Sequence, residues 1–184
     1  MVLENETCHI EIKIDETYTV GSADNRHYDV TLNPCHYRYF DHPKTFSIHI
    51  DLFSKEYFIA LIGSFYCYAE DCAVLEGDIL TVLQNDLVTQ INITDRSIIR
   101  YAVLDCPGCG LALYKVKKGY IIYGEIEIVM LDHALVTQWT FSGKNIFVSM
   151  SGKKSFELGE DSIGLYDFED NYYEIDLDGK LIKQ

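Results

Sequence analysis

Between Gly119 and Phe147, Ile122, Ile126, Ile128 and Met130 fall on even positions with Glu125 and Glu127 between them. Successive side chains of a strand point to opposite sides, so this alternation predicts one long strand with a dry face and a wet one. Its β-branched content and the absence of apolar spacings of three and four exclude an amphipathic helix. Asp132-His133-Ala134 interrupts the pattern before Leu135, Val136, Trp139 and Phe141 resume it, which predicts a hairpin closed by about three to four residues.

The same reading extends along the chain. Ile10, Ile12 and Ile14 alternate with Glu11, Lys13 and Asp15 in a strand near the amino terminus, and 21–43 is polar and turn-rich, a long loop. Further strands are predicted over 44–53, 57–68, 72–75, 79–83, 87–93, 97–104, 111–117, 146–150, 155–158, 163–168, 172–177 and 180–182. Turns this closely spaced demand an antiparallel meander. The expected fold class is all-β, an antiparallel hairpin meander in two packed sheets, with a propeller-like repeat of blades as the alternative. No linker or low-complexity tract divides the chain, so 1–184 reads as a single β-rich domain. The predicted core draws on Ile48, Ile50, Phe58, Ile62, Ile79, Val82, Ile91, Ile122, Ile126, Ile128, Trp139, Phe141, Phe147, Phe156 and Leu165.

An internal repeat accompanies the hairpins. Residues 77–83 read like 124–130, and Val88-Thr89-Gln90 recurs as Val136-Thr137-Gln138; a fainter copy runs over 174–182. Such copies suggest stacked supersecondary units, although three are too few to close a propeller ring.

Charge narrows the choice of partners. The chain has 15 basic and 29 acidic residues, a net charge of -14, which repels nucleic-acid phosphates and anionic membranes and favours a basic protein partner. The acidic amino-terminal stretch has neither the basic residues nor the apolar core of a secretion signal, so a cytoplasmic protein with reduced thiols is expected.

Candidate chemistry is sparse. Cys106-Pro-Gly-Cys109 resembles half of a zinc knuckle, with Cys67 and Cys72 as the available second pair; otherwise no cofactor is expected. A thioredoxin-like role would need a helix after Cys106, where a strand is predicted. Glu125 and Glu127, on one strand face with Cα atoms about 6.5 Å apart, have a spacing that suits a carbohydrate-active site. The run from Glu174 to Gly179 imitates the start of a calcium loop but reads as a strand entering an Asp-Gly turn. His36, His42 and His49 match no helical metal motif, and no nucleophile elbow or phosphate loop is present. Tyrosine is abundant, at 14 residues, and suits protein interfaces; Tyr37, Tyr39, Tyr66, Tyr68, Tyr172 and Tyr173 are candidates, and the binding set is taken as Tyr37, Tyr39, Tyr172, Tyr173, Glu125 and Glu127.

Two resemblances enter on these residues. Ile128-Val-Met-Leu-Asp132 followed by Trp139-Thr-Phe141 resembles the outer hairpin of a quinoprotein-type propeller blade, without its quinone site. The longer run from Gly119 through Trp139-Thr-Phe-Ser-Gly143 to Asp178-Gly179 is similar to small acidic proteins of bacteria, some of which act as immunity partners that neutralise toxins. That resemblance implies a non-catalytic, protein-binding role and transfers no site residues.

Overall fold

The computed structural model describes residues 1–64, 69–105 and 108–184, and they form an all-β fold of four sheets. The first sheet contains β1 (Val2–Glu4), β2 (His9–Ile14), β3 (Val30–Leu32), β4 (Thr45–Asp51) and β5 (Glu56–Ile62), in spatial order β1-β2-β4-β5-β3. The second contains β6 (Ala73–Glu76), β7 (Ile79–Gln84), β8 (Leu87–Asn92) and β9 (Ser97–Val103). The third contains β10 (Gly110–Val116), β11 (Gly119–Gly124), β12 (Glu127–Asp132) and β13 (Thr137–Ser142), and the fourth β14 (Phe156–Leu158), β15 (Ser162–Tyr166), β16 (Tyr172–Asp176) and β17 (Leu181–Lys183). The last three sheets are four-stranded antiparallel meanders in chain order, the topology of a propeller blade. In the first sheet β3 lies parallel to β5, a departure from the meander that the long 15–44 connection makes possible.

The chain divides into two compact units, 1–104 and 105–184. In the first, Ile10, Ile12, Ile48, Ile50 and Ile59 from one sheet share a core with Leu80, Val82 and Ile91 from the other. In the second, Ile121, Ile128 and Met130 face Phe156, Ile163, Leu165, Tyr173 and Ile175. Four sheets stand where two packed sheets were expected for the whole chain, and the chain-order meanders match the alternative, a propeller-like repeat of blades. Among the described residues no helix is long and apolar enough to cross a membrane.

The long strand expected from 119 onward folds into two. β11 pairs with β12 from Gly119↔Asp132 to Tyr123↔Ile128, so the chain reverses at Glu125-Ile126, inside the alternating run. Gly124 permits the reversal, since a Cβ there would lie 2.5 Å from the Glu127 carbonyl oxygen. The Glu125 N–H donates to the Cys109 carbonyl at 2.8 Å and its own carbonyl accepts from the Phe147 N–H at 2.6 Å, which holds the turn from both sides. The next hairpin, at Asp132–Val136, is where the sequence placed it.

The repeat is real, but its phase differs by one strand. The sequence match lays β7 and β8 over β12 and β13, whereas the loops equate the third and fourth strands of each meander. After β8, β12 and β16 comes a left-handed residue, Arg96 (φ 58°), Leu135 (φ 65°) or Gly179 (φ 78°). Three positions later the outer strand bulges, at Ile99, Gln138 and Ile182. Interior strands of any blade share an apolar, β-branched composition, so only the turn chemistry carries phase.

Most of the expected core is buried. Ile79 is instead 36 % exposed, Ile126 sits half-buried in the new turn, Phe58 is half-buried beneath the His49 ring, and Trp139 and Phe141 flank the core of the second unit. Phe147 is buried without belonging to a strand; its ring is 6.2 Å from Phe141 and 6.1 Å from Tyr173, so the strand predicted over 146–150 is an irregular segment held by an aromatic anchor.

Candidate functional site: a charged tyrosine face

Between Glu157 and Asp178 the chain has nine acidic residues and no lysine or arginine. Alternation sorts this segment into two faces. Phe156, Ile163, Leu165, Tyr173 and Ile175 turn inward, and Glu157, Gly164, Tyr166, Tyr172 and Glu174 turn outward. Across the sheet, Glu157 pairs with Gly164, Gly164 with Glu174, and Glu174 with Lys183, one row over four strands. Tyr166 and Tyr172 form the adjacent row, with ring centroids 5.0 Å apart at 50°.

Gly164 gives this face its hollow. A Cβ there would lie 3.3 Å from the Tyr172 hydroxyl and 3.6 Å from its ring, so the bare glycine lets the ring lie down over the sheet. Lys154, Glu157, Tyr166, Tyr172 and Lys183 surround a concavity of about 650 Å³. Two lysines already stand over the rings: Lys153 Nζ is 4.8 Å from the Tyr166 centroid and Lys183 Nζ is 5.7 Å from that of Tyr172. Both distances fall within cation–π range. Lys153 also lies 3.6 Å from Asp170 Oδ2. Partial burial, followed by the charges of Glu174 and Glu157 around its contact with Tyr166, raises the Tyr172 phenol above its ordinary pKa. The face thus carries charges of both signs, Glu157 and Glu174 beside Lys153, Lys154 and Lys183, around two aromatic rings.

The remaining candidates scatter. Tyr173 is 2 % exposed: adjacent strand residues face opposite ways, so it belongs to the core, where its hydroxyl donates to Asp167 at 2.9 Å and accepts the Lys144 N–H at 3.0 Å. Glu125 lies in the turn and Glu127 opens β12, so the two do not share a flat strand face, and Glu127 accepts from the Ser142 hydroxyl at 3.0 Å. That removes the geometry on which the carbohydrate reading rested. Tyr37 and Tyr39 belong to the first unit. Burial, and then Cys35 and Asp86 beside it, push the Tyr37 phenol up to about 12, while Tyr39 opens a short 3-10 turn, Tyr39–Asp41, in which it and Phe40 are both exposed.

Cys106, Cys67, Tyr66 and Tyr68 lie outside the described residues. Cys109 enters the sheet beside the Gly124 turn, its carbonyl bound to Glu125. Cys72, half of the second pair, is buried with its thiol pushed up to about 12 by desolvation and its Sγ 3.7 Å from Met1 Sδ, the opposite of a metal-ready thiolate. Among the described residues no three His, Cys, Asp or Glu side chains are grouped to hold a metal ion. Asp176 Oδ1 accepts the N–H groups of Asp178 and Lys180, as a hairpin turn requires.

Sequence reasoning named Tyr172 and missed Glu157, Gly164, Tyr166, Glu174 and the two lysines. The base-free run of acids, with Tyr166 and Tyr172 equidistant from the centre of the Asp167–Asn171 turn, is the signal that would have found the face.

No protein-family model and no curated protein matches this sequence. Among solved structures the chain is similar to BamB from Moraxella catarrhalis, with 15% identity, a TM-score of 0.45, and coverage of 62% of this chain and 38% of that one. It is similar also to Hsv2 from Kluyvelomyces marxianus, with 9% identity, a TM-score of 0.44, and coverage of 84% and 49%. The chain thus spans less than half the length of either neighbour.

Proposed function

We propose that this chain is a non-catalytic, cytoplasmic protein-binding module whose outer face on the fourth sheet receives a basic protein. The observation that carries this reading is the run 157–178, with nine acidic residues and no lysine or arginine, which presents Tyr166 and Tyr172 on its outer face. Complementary charge accelerates encounter and excludes acidic partners, and tyrosine supplies rigid contact area at little entropic cost. An inhibitor that covers a basic toxin, the role suggested by the resemblance to immunity proteins, is the form of this function that suits a chain of net charge -14.

The test is affinity capture from the source cell with three proteins: the unaltered chain, Glu157→Lys/Glu174→Lys, and the equal-charge control Glu4→Lys/Glu6→Lys. A basic protein held by the first and third, released by salt and lost from the second, is the expected result. A partner retained undiminished by the Glu157→Lys/Glu174→Lys protein would place binding elsewhere and overturn the proposal.

A further inference from the structure

We propose that the second unit holds a small-molecule site in the cleft between the third and fourth sheets, beside the Lys118–Asp178 ion pair, and that its ligand is an organic cation with an apolar body. This site is separate from the outer face of the fourth sheet and stands independently of the function proposed for that face.

Three turns meet at this end of the unit: 117–118 between β10 and β11, 159–161 between β14 and β15, and 177–180 between β16 and β17. Two adjoining hollows open among them. One, of about 330 Å³, has Val116, Met130 and Leu177 as its apolar wall and Glu160 and Asp161 on its rim. The other, of about 290 Å³, shares Met130 and Leu177 and adds Trp139. Lys118 and Asp178 line both, so their ion pair stands where the hollows join. Each hollow is near the lower end of the size range of small-ligand pockets, which starts at about 300 Å³. The cleft is built in advance, because the bond from the Trp139 indole to the Leu177 carbonyl fixes one sheet against the other.

Walls and rim together define the occupant. The wall takes an apolar body, which gains by leaving water. Around the two hollows stand five carboxylates, those of Asp132, Glu160, Asp161, Asp176 and Asp178, against the two ammonium groups of Lys117 and Lys118. Asp178 is engaged by Lys118, and Asp132 and Asp176 accept N–H groups of their own turns. The side chains of Glu160 and Asp161 have no hydrogen bond or ion pair among the described residues, so theirs is the charge open to a ligand. An anion would be repelled by this rim, and a neutral apolar molecule would leave its carboxylates unused. An ammonium on an apolar stem meets both requirements, with its body against Val116, Met130 and Leu177 and its charge toward Glu160 and Asp161.

Titration calorimetry of the full chain with 2-phenylethylamine, its anionic counterpart phenylacetate and its truncated counterpart ethylamine tests this, with Trp139 fluorescence as a second readout. The arylamine should bind once per chain and change the Trp139 emission. Phenylacetate and ethylamine should each bind at least about tenfold more weakly, since the first lacks the charge and the second the apolar body. Glu160→Gln/Asp161→Asn, on an exposed turn, should weaken the arylamine about fivefold, and added salt should weaken it in the unaltered chain. Lys118→Met, which leaves Asp178 free to meet the ligand, should tighten binding severalfold. Lys154→Met, the same change of charge on the outer face of the fourth sheet, should leave it unchanged. Absence of saturable arylamine binding, phenylacetate or ethylamine binding as tightly as the arylamine, undiminished affinity in the Glu160→Gln/Asp161→Asn protein, or equal effects of the two lysine substitutions would overturn the inference.

Discussion

The indole N–H of Trp139 donates to the carbonyl of Leu177 at 3.2 Å, joining the outer strand of the third sheet to the last hairpin of the fourth. The hairpin closes against the same ring, for a Cβ built on Gly179 would lie 2.6 Å from Trp139 Cδ2. The tryptophan after the Leu-Asp turn, singled out in the sequence as a blade feature, is the side chain that docks one sheet on the next.

A matched pair of glycines isolates that contact. Gly179 and Gly152 have nearly the same backbone, φ 78° and 77°, but a Cβ on Gly152 meets nothing within 4 Å. Gly152→Ala should cost about 1 kcal/mol, the left-handed penalty alone. Gly179→Ala should cost about 3 kcal/mol, because the ring must also move. Chemical denaturation followed by the fluorescence of the single tryptophan reads both.

Asp167 is fully buried, and its carboxylate accepts from the Tyr173 hydroxyl, the Asn171 side chain and the N–H groups of Glu169 and Asn171. Burial works to raise its pKa, but the side chains of Asn171 and Tyr173 and the N–H groups of Asn171 and Glu169 outweigh it, and the net shift is downward. A carboxyl depressed in the folded state stabilises fully above its unfolded pKa of about 3.9 and loses that contribution as pH falls through the folded value. Stability should therefore drop below about pH 4, and Asp167→Ala should flatten this limb in thermal melts taken across pH. At neutral pH the same substitution strands the Tyr173 hydroxyl and should cost about 2–4 kcal/mol, against about 1 kcal/mol for Tyr173→Phe.

The loops after β12 and β16 should respond alike. Asp132 Oδ1 accepts the N–H groups of Ala134 and Val136, and Asp176 Oδ1 those of Asp178 and Lys180. Both loops are exposed, so water takes over when the carboxylate is removed and each Asp→Ala should cost about 1 kcal/mol. Urea midpoints differing by much more than the error of the fit would show that the two loops are not equivalent copies.

Cys72 should be inert. Its thiol is buried and pushed up to about 12, so brief iodoacetamide treatment at pH 8 should leave it unmodified in the folded protein and label it after denaturation, as read by peptide mass spectrometry. Modification of the native thiol would reopen Cys72 as a metal ligand.

Residue alternation by itself determined that the chain is all-β and where most strands run, because a strand's period of two is a local property of the backbone. It determined the Asp132 and Asp178-Gly179 turns as well, since Asx side chains and left-handed glycine act within a few residues. Tertiary structure alone decided the reversal at Glu125-Ile126. There the alternation runs on unbroken, and the turn is held by Cys109 and Phe147, each more than ten residues away. Tertiary structure also decided which copies of the repeat correspond, for buried strands read alike and only their loops differ. The tyrosine face is of the same kind: its row of Glu157, Gly164, Glu174 and Lys183 comes from four strands, and strand register is set by pairing across space.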